Sequence, residues 1–96
     1  MRMMLKITMD TEKSNQVLRS GELQDLLQGT LDRLKPEAAY FGPEGGRRAA
    51  FIVFDMKDSS QLPPISEPLF QKVGASVDYT PVMDLQDLQK GLAAIG

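Results

Sequence analysis

The sequence predicts an α+β domain in which helices cover one face of a four-stranded antiparallel sheet. Three observations lead to this prediction. Residues 2–9 alternate in the period-2 pattern of a strand. Two apolar runs flank the glycine-rich segment 42–46, as in a hairpin. Leucines recur at helical spacing between residues 22 and 34. A chain of 96 residues suits a single domain over residues 1–96, with an adequate but thin core.

The first strand and two helices form the first part of the predicted fold. Strand 2–9 carries one wholly apolar face. A cap at Asp10 predicts a helix that runs to about Arg19, an interruption at 20–21, and a second helix that Pro36 ends. The apolar face of the strand consists of Met3, Leu5, Ile7 and Met9.

The glycine-rich segment 42–46 lies between two predicted strands, 37–41 and 47–56. We interpret it as a hairpin tip and not as a phosphate-binding loop, because such a loop opens a helix whereas this segment precedes a strand. The segment also lacks the Gly-Lys-Ser/Thr ending of a P-loop. Arg47 and Arg48 should point to opposite faces of their strand, so only one of them can meet a given ligand.

The last third of the chain predicts a helix, a strand and a terminal helix. A capping cluster at 58–60 precedes a helix that stops at Gly74, and we expect Pro68 to break that helix. Residues 76–84 predict the fourth strand. Asp84 caps the terminal helix, whose apolar stripe consists of Leu85, Leu88, Leu92 and Ile95.

The resulting order, β-α-β-β-α-β plus a terminal helix, is the ferredoxin-like arrangement. With helices on one sheet face, the other face is also apolar, because strand 47–56 contributes either Phe51 and Val53 or Ile52 and Phe54. Apolar patches of this size usually mark interfaces. We therefore expect a homodimer packed sheet to sheet, with an interface formed by Met4, Thr8, Phe51 and Val53.

Composition excludes several classes of site. The chain has a formal net charge of −2 and lacks cysteine, histidine and tryptophan, so disulfides, thiolate chemistry and histidine ligands or bases are absent. We expect no metal, no cofactor and no nucleic-acid partner, since nucleic-acid binders carry clustered basic surface. No apolar run has the length of a membrane span, and the start is too charged for a signal peptide. A cytoplasmic, non-membrane protein is expected.

The strand order, the apolar run "AAFIVF", the "GPEGG" tip and the terminal "PVMDLQDLQKGL" helix resemble the dimeric α+β barrel superfamily. "KPEAAYF" and "SEPLFQKVGASVDYTPVMDLQDL" look like segments of small uncharacterised bacterial proteins of this type. The resemblance implies a pocket for a small organic molecule between the sheet and its helices or loops. The superfamily includes cofactor-independent monooxygenases, isomerases, haem proteins and ligand-sensing domains. Its histidine-dependent chemistry cannot be carried over to a chain without histidine.

Four side chains are candidates for binding a ligand: Lys6, Tyr40, Arg48 and Glu67. Lys6 is interpreted either as an anchor for an acidic ligand or as a partner of Asp55. Glu67 precedes Pro68, so it is interpreted either as a carboxylate held at a helix break or as a group that stabilises a helix dipole.

The remaining candidates also allow two interpretations each. Tyr40 and Tyr79 are interpreted as pocket walls or, more commonly, as core residues. Arg47 or Arg48 is interpreted as an anion ligand or as a solvated strand end. Asp78, Asp84 and Asp87 are interpreted as an edge charge and helix caps.

Two functions remain open from the sequence. The first is a dimeric small-molecule-binding or interaction domain. The second is a cofactor-independent enzyme, monooxygenase- or isomerase-like, that acts on a small aromatic or acidic metabolite through Glu, Lys or Tyr groups. An enzyme should show a closed pocket with at least two convergent ionisable groups, whereas a binding domain need not.

Overall fold

The computed structural model describes residues 1–96 and has four antiparallel strands in one open sheet with four helices, an α+β architecture. A single 3₁₀ turn, Ser59–Gln61, precedes the third helix. The elements are β1 (Arg2–Thr8), α1 (Thr11–Ser20), α2 (Glu22–Leu34), β2 (Ala38–Glu44), β3 (Arg47–Asp55), α3 (Leu62–Val73), β4 (Ser76–Pro81) and α4 (Leu85–Ala93).

The sheet has the strand order β2-β3-β1-β4, and every neighbouring pair is antiparallel. Directly opposed residues share a face of the sheet. Leu5 lies opposite Ile52 and Tyr79 on the face that α1, α2 and α3 cover. Lys6 lies opposite Phe51 and Asp78 on the other face, which we call the open face.

The core lies between the sheet and the first three helices. On β3, Ile52 and Phe54 are 0% and 1% exposed, while Phe51 and Val53 are half-buried on the open face. The structure thereby resolves the alternative that the sequence left open for this strand. The twelve core residues include Leu23 and Leu34 of α2 and Ile65, Leu69 and Val73 of α3.

The β2–β3 connection is a hairpin, as predicted, although its turn is tighter than the five-residue tip expected from the sequence. Glu44 pairs with Arg47, so only Gly45 and Gly46 form the turn. Both glycines have positive φ, 60° and 77°, a conformation that this type of two-residue turn requires and that side chains resist. Pro43 fits within β2 because β2 is an edge strand.

The break expected at Pro68 does not occur, and α3 continues through it from Leu62 to Val73. Proline has no N–H, so Pro68 cannot bond the carbonyl of Pro64, four residues earlier. The guanidinium of Arg33 on α2 donates to that carbonyl instead. A neighbouring helix thus supplies the missing donor, and Glu67 lies on an intact helix and not at a break.

The terminal helix α4 begins where predicted, with Asp84 as its cap, but it packs little against the rest of the chain. Leu85, Leu88, Leu92 and Ile95 are 67%, 40%, 57% and 83% exposed. The strand before it ends at Pro81, opposite Met3, which is earlier than predicted. One further hydrogen bond, from the Val82 amide to the Arg2 carbonyl, follows the end of this ladder. No helix of the chain has both the length and the apolarity that crossing a bilayer demands.

Candidate functional site

The largest cavity is a cleft of about 520 Å³ between the β2–β3 hairpin and the start of the helical layer. This volume falls within the range of small-molecule sites. Its walls are mainly apolar, and two arginines and Thr11 add polar groups. The apolar walls are formed by Met9 after β1, by Leu23 and Leu27 of α2, and by Phe41 of β2. We refer to this cavity as the hairpin cleft.

Arg47 and Arg48 are the only ionisable residues that line the hairpin cleft. Neither arginine forms an ion pair within the chain, whose ion pairs use the Met1 amino group, Arg2, Lys6 and Lys57 as cations. Arg47 is exposed at the hairpin end, whereas Arg48 is half-buried. The cleft therefore carries positive charge that no carboxylate of the chain neutralises.

Arg48 is fixed in place by its backbone and its side chain. Its carbonyl accepts a hydrogen bond of 2.9 Å from the Met9 amide, one residue beyond β1. Its Nη1 donates to Oγ of Ser14 on α1 at 2.7 Å. Ser14 is completely buried, and its own hydroxyl donates to the Thr11 carbonyl at 3.2 Å. The buried hydroxyl thus orients the guanidinium from behind the cleft.

The open face of the sheet is the second notable surface. The residues predicted for the dimer interface share it: Met4 opposes Val53, and Thr8 and Phe51 belong to neighbouring rows. Tyr40 opposes Phe51 and is 71% exposed, so its alternative interpretation as a core residue is wrong. The face also carries three cations and three carboxylates, namely Arg2, Lys6 and Arg47 with Glu44, Asp55 and Asp78.

Lys6 forms an ion pair on the open face, but with a different partner from the one considered in the sequence. Its Nζ lies 3.3 Å from a carboxylate oxygen of Glu44, across β3. Asp55 instead binds Lys57 and the amino group of Met1. These two contacts lower the pKa of Asp55 to about 2, with the Lys57 hydrogen bond as the largest cause.

The four candidate ligand residues do not converge on one site. Lys6 and Tyr40 lie in the same row of the open face, whereas Arg48 lines the hairpin cleft. Glu67 is exposed on α3, beside a shallow depression next to Phe70. A single pocket that uses all four side chains is therefore not formed within one chain.

Tyr79 combines the two roles considered for it. It packs against the core, and its hydroxyl lies 2.7 Å from Oγ of Ser66 on α3. Burial raises the pKa of the Tyr79 phenol, while the hydrogen bond to Ser66 partly opposes that shift. This pair joins β4 to α3.

Arg2 anchors the beginning of α4 to the end of the sheet. It lies 2.7 Å from Asp87 and 3.5 Å from Asp84, and it also pairs with Glu37. The Glu37 hydrogen bond is the main reason that the pKa of Arg2 is raised. The backbone hydrogen bond from Asp87 lowers the pKa of Asp84 below its usual value, and the charge of Arg2 adds to this shift, while desolvation partly opposes it.

Most of the residues that form the hairpin cleft could not be recognised from the sequence. Leu23 and Leu27 belong to a helical stripe that looks like ordinary core. Ser14 is one of several polar residues in α1, and nothing in the pattern marks it as buried. The adjacent pair Arg47 and Arg48 was the one available signal, and its position beside the hairpin was correctly predicted.

Comparisons with known proteins do not define a family for this chain. No protein-family model matches it, and neither a curated protein nor a solved structure matches it significantly. The fold and the hairpin cleft therefore carry the functional argument.

Proposed function

We propose that this protein is a small-molecule-binding domain and that the hairpin cleft is its binding site. The observation that carries this proposal is the combination of a cavity of about 520 Å³, mainly apolar walls, and a few fixed polar groups at its edge. This combination is typical of ligand pockets. The half-buried Arg48 supplies the fixed polar group, and Phe41 and Leu27 supply apolar surface.

Binding is favoured over catalysis because the cleft lacks a group suited to proton transfer. Its only ionisable residues are Arg47 and Arg48, and arginine stays protonated throughout the usual pH range. Lys6, Tyr40 and Glu67, the candidates for histidine-free acid–base chemistry, lie elsewhere in the chain. A cofactor-independent enzyme, monooxygenase- or isomerase-like, is the alternative, and it would need a second chain to bring such groups to the cleft.

The binding proposal is tested with N-phenyl-1-naphthylamine, a neutral dye that fluoresces in apolar sites. We expect the dye to bind the wild-type protein and to lose affinity when Leu27→Trp fills the cleft. Leu31→Trp is the matched control, because Leu31 lies one turn further along α2 and does not line the cleft. Equal dye binding by both variants would place the apolar site elsewhere and refute the proposal.

We further propose that the chain has the ferredoxin-like fold and forms a homodimer through its open face. The strand order β2-β3-β1-β4 and the element order support the fold. The apolar row of Met4, Phe51 and Val53 supports burial of the face. Its equal numbers of cations and carboxylates favour a second copy of the chain over nucleic acid, which requires a basic surface.

The open face alone is too small for a stable dimer interface, so a dimer must also bury other surface. Four strands of about seven residues present roughly 450 Å² in projection, whereas a stable interface buries about 800 Å² per partner. The exposed leucine stripe of α4 supplies additional apolar surface. Because Asp87 ties the polar side of α4 to Arg2, that stripe is free to contact the second copy.

A further inference from the structure

We infer that the ligand of the hairpin cleft is an organic acid, with one carboxylate head and an apolar body. This inference rests on the proposed function and adds the chemical class of the ligand. Arg48 would bind the head, Arg47 would add positive charge at the hairpin end of the cleft, and the apolar walls would contact the body. Neither Arg47 nor Arg48 takes part in an ion pair within the chain.

The charge on the cleft is positive and favours an anion. Arg47 and Arg48 line the cleft, and no carboxylate does. Two acidic residues close to the cleft in sequence are engaged elsewhere: Asp10 accepts from the Lys13 amide at 3.0 Å, and Glu44 pairs with Lys6. A partly buried cation without a counter-ion is unfavourable, and an anionic ligand removes that cost.

Arg48 is already oriented before a ligand binds. Its Nη1 is bound to the buried hydroxyl of Ser14 at 2.7 Å, and its side chain forms no other hydrogen bond within the protein. A guanidinium has several further N–H donors in a planar fork that matches a carboxylate. Because Ser14 fixes the group beforehand, less conformational entropy is lost when the ligand binds.

The remaining surface of the cleft is mainly apolar. Met9, Leu23, Leu27 and Phe41 form apolar walls around the cleft, and Phe41 is 52% exposed. A small inorganic anion would leave these walls in water. An acid with an aromatic or aliphatic body would cover them, and apolar burial adds affinity in proportion to area.

The test compares 4-phenylbutyrate with its uncharged amide, 4-phenylbutyramide, as competitors of the neutral dye. We expect the carboxylate to displace the dye about tenfold more strongly than the amide, as a charge-assisted hydrogen bond allows. Acetate, which has the same head without the body, should leave the dye in place. Added salt should weaken binding of the carboxylate and leave binding of the amide unchanged.

Variants assign the preference to the arginines. Arg48→Gln should remove most of the preference for the acid, Arg48→Lys should keep part of it, and Arg47→Gln should reduce it less. Circular dichroism and dye binding confirm that each variant folds. If acid and amide compete equally in the wild type while Leu27→Trp still removes dye binding, the organic-acid inference is wrong and the binding site stands. If Leu27→Trp leaves dye binding intact, the hairpin cleft is not the binding site, and both the proposed function and the inference are wrong.

Discussion

Arg48 of β3 and Ser14 of α1 form a hydrogen bond of 2.7 Å that joins the sheet to the helical layer at the edge of the hairpin cleft. Ser14 is fully buried and Arg48 is half-buried. Every buried polar side-chain atom of the chain has a partner. The bond therefore orients the guanidinium and also satisfies a buried hydroxyl.

Ser14→Ala tests the orienting role of this serine. We expect the variant to fold, with a loss of about 1–3 kcal/mol in the free energy of unfolding, because the hydrogen bond from Arg48 and the one to the Thr11 carbonyl are both lost. It should lower the affinity for 4-phenylbutyrate several-fold and leave the affinity for 4-phenylbutyramide unchanged, because only the carboxylate needs the oriented guanidinium. Competition against the neutral dye measures both affinities. Parallel losses for acid and amide would mean that Ser14 only supports the shape of the cleft.

Pro68→Ala and Arg33→Met test how α3 continues through proline. Alanine restores the N–H that bonds the Pro64 carbonyl, so Pro68→Ala should stabilise the fold by about 1 kcal/mol or more. Arg33→Met removes the group that now donates to the Pro64 carbonyl. It should lower the free energy of unfolding by about 0.5–1.5 kcal/mol.

Urea denaturation of the two single variants and the double variant measures their coupling. In the Pro68→Ala background, Arg33→Met should cost almost nothing, since the helix then supplies its own donor. Additive effects of the two substitutions would show that Arg33 does not substitute for the missing N–H.

The sequence predicted the number and order of the elements because each carries its own local pattern. The alternation of β1, the caps at Asp10 and Asp84, and the stop at Gly74 all reflect interactions within a few residues. The fold class follows from these patterns. The open face was also correctly predicted for β1, where Met4 and Thr8 alternate with core residues.

Features that depend on contacts between distant elements were not predictable. The continuity of α3 at Pro68 requires Arg33, which lies 35 residues earlier in the printed sequence. Ser14 meets Arg48 only because the fold brings α1 close to the start of β3. Lys6 reaches Glu44 across an intervening strand, so sequence distance could not separate this pairing from the one considered with Asp55.

The ion pairs of Asp55 predict a specific loss of stability in acid. Its pKa is lowered from 3.8 to about 2 in the folded protein, first by Lys57 and then by the Met1 amino group. A lowered folded-state pKa stabilises the fold above the unfolded pKa, and that stabilisation is lost as the pH falls towards 2. The melting temperature of Asp55→Asn should therefore be lower than that of the wild type at pH 6 and close to it at pH 2.

Thermal melts between pH 6 and pH 2 measure this difference. The effect should be small, because Asp55 and its partners are exposed and screened by salt. Glu67→Gln is the control, since Glu67 is exposed and forms no ion pair. If the melting temperatures of Asp55→Asn and the wild type differ by the same amount at every pH, the lowered pKa of Asp55 does not stabilise the fold.

Phe51→Glu tests the proposed dimer through the open face. Phe51 is half-buried beside Tyr40 and Lys6, so the monomer should tolerate the substitution while a second copy should not. We expect sedimentation to show a dimer for the wild type and a monomer for the variant. Phe70→Glu, at a residue of α3 that is 42% exposed on the other side of the sheet, should leave the dimer intact. A folded Phe51→Glu variant with unchanged mass would exclude this interface.

Leu88→Glu and Leu92→Glu test whether the stripe of α4 belongs to the same interface. No residue of α4 is buried, and Arg2 holds the helix through Asp87. Charge on the stripe should therefore change the free energy of monomer unfolding by less than about 0.5 kcal/mol, as for other surface positions. In a dimer the same charge would be desolvated, so the dissociation constant of the dimer should rise at least tenfold for each variant. Gln86→Glu, on the polar side of α4, should change neither quantity. If sedimentation finds equal dimer affinity for all three variants, the stripe lies outside the interface, and the open face must bind its partner without α4.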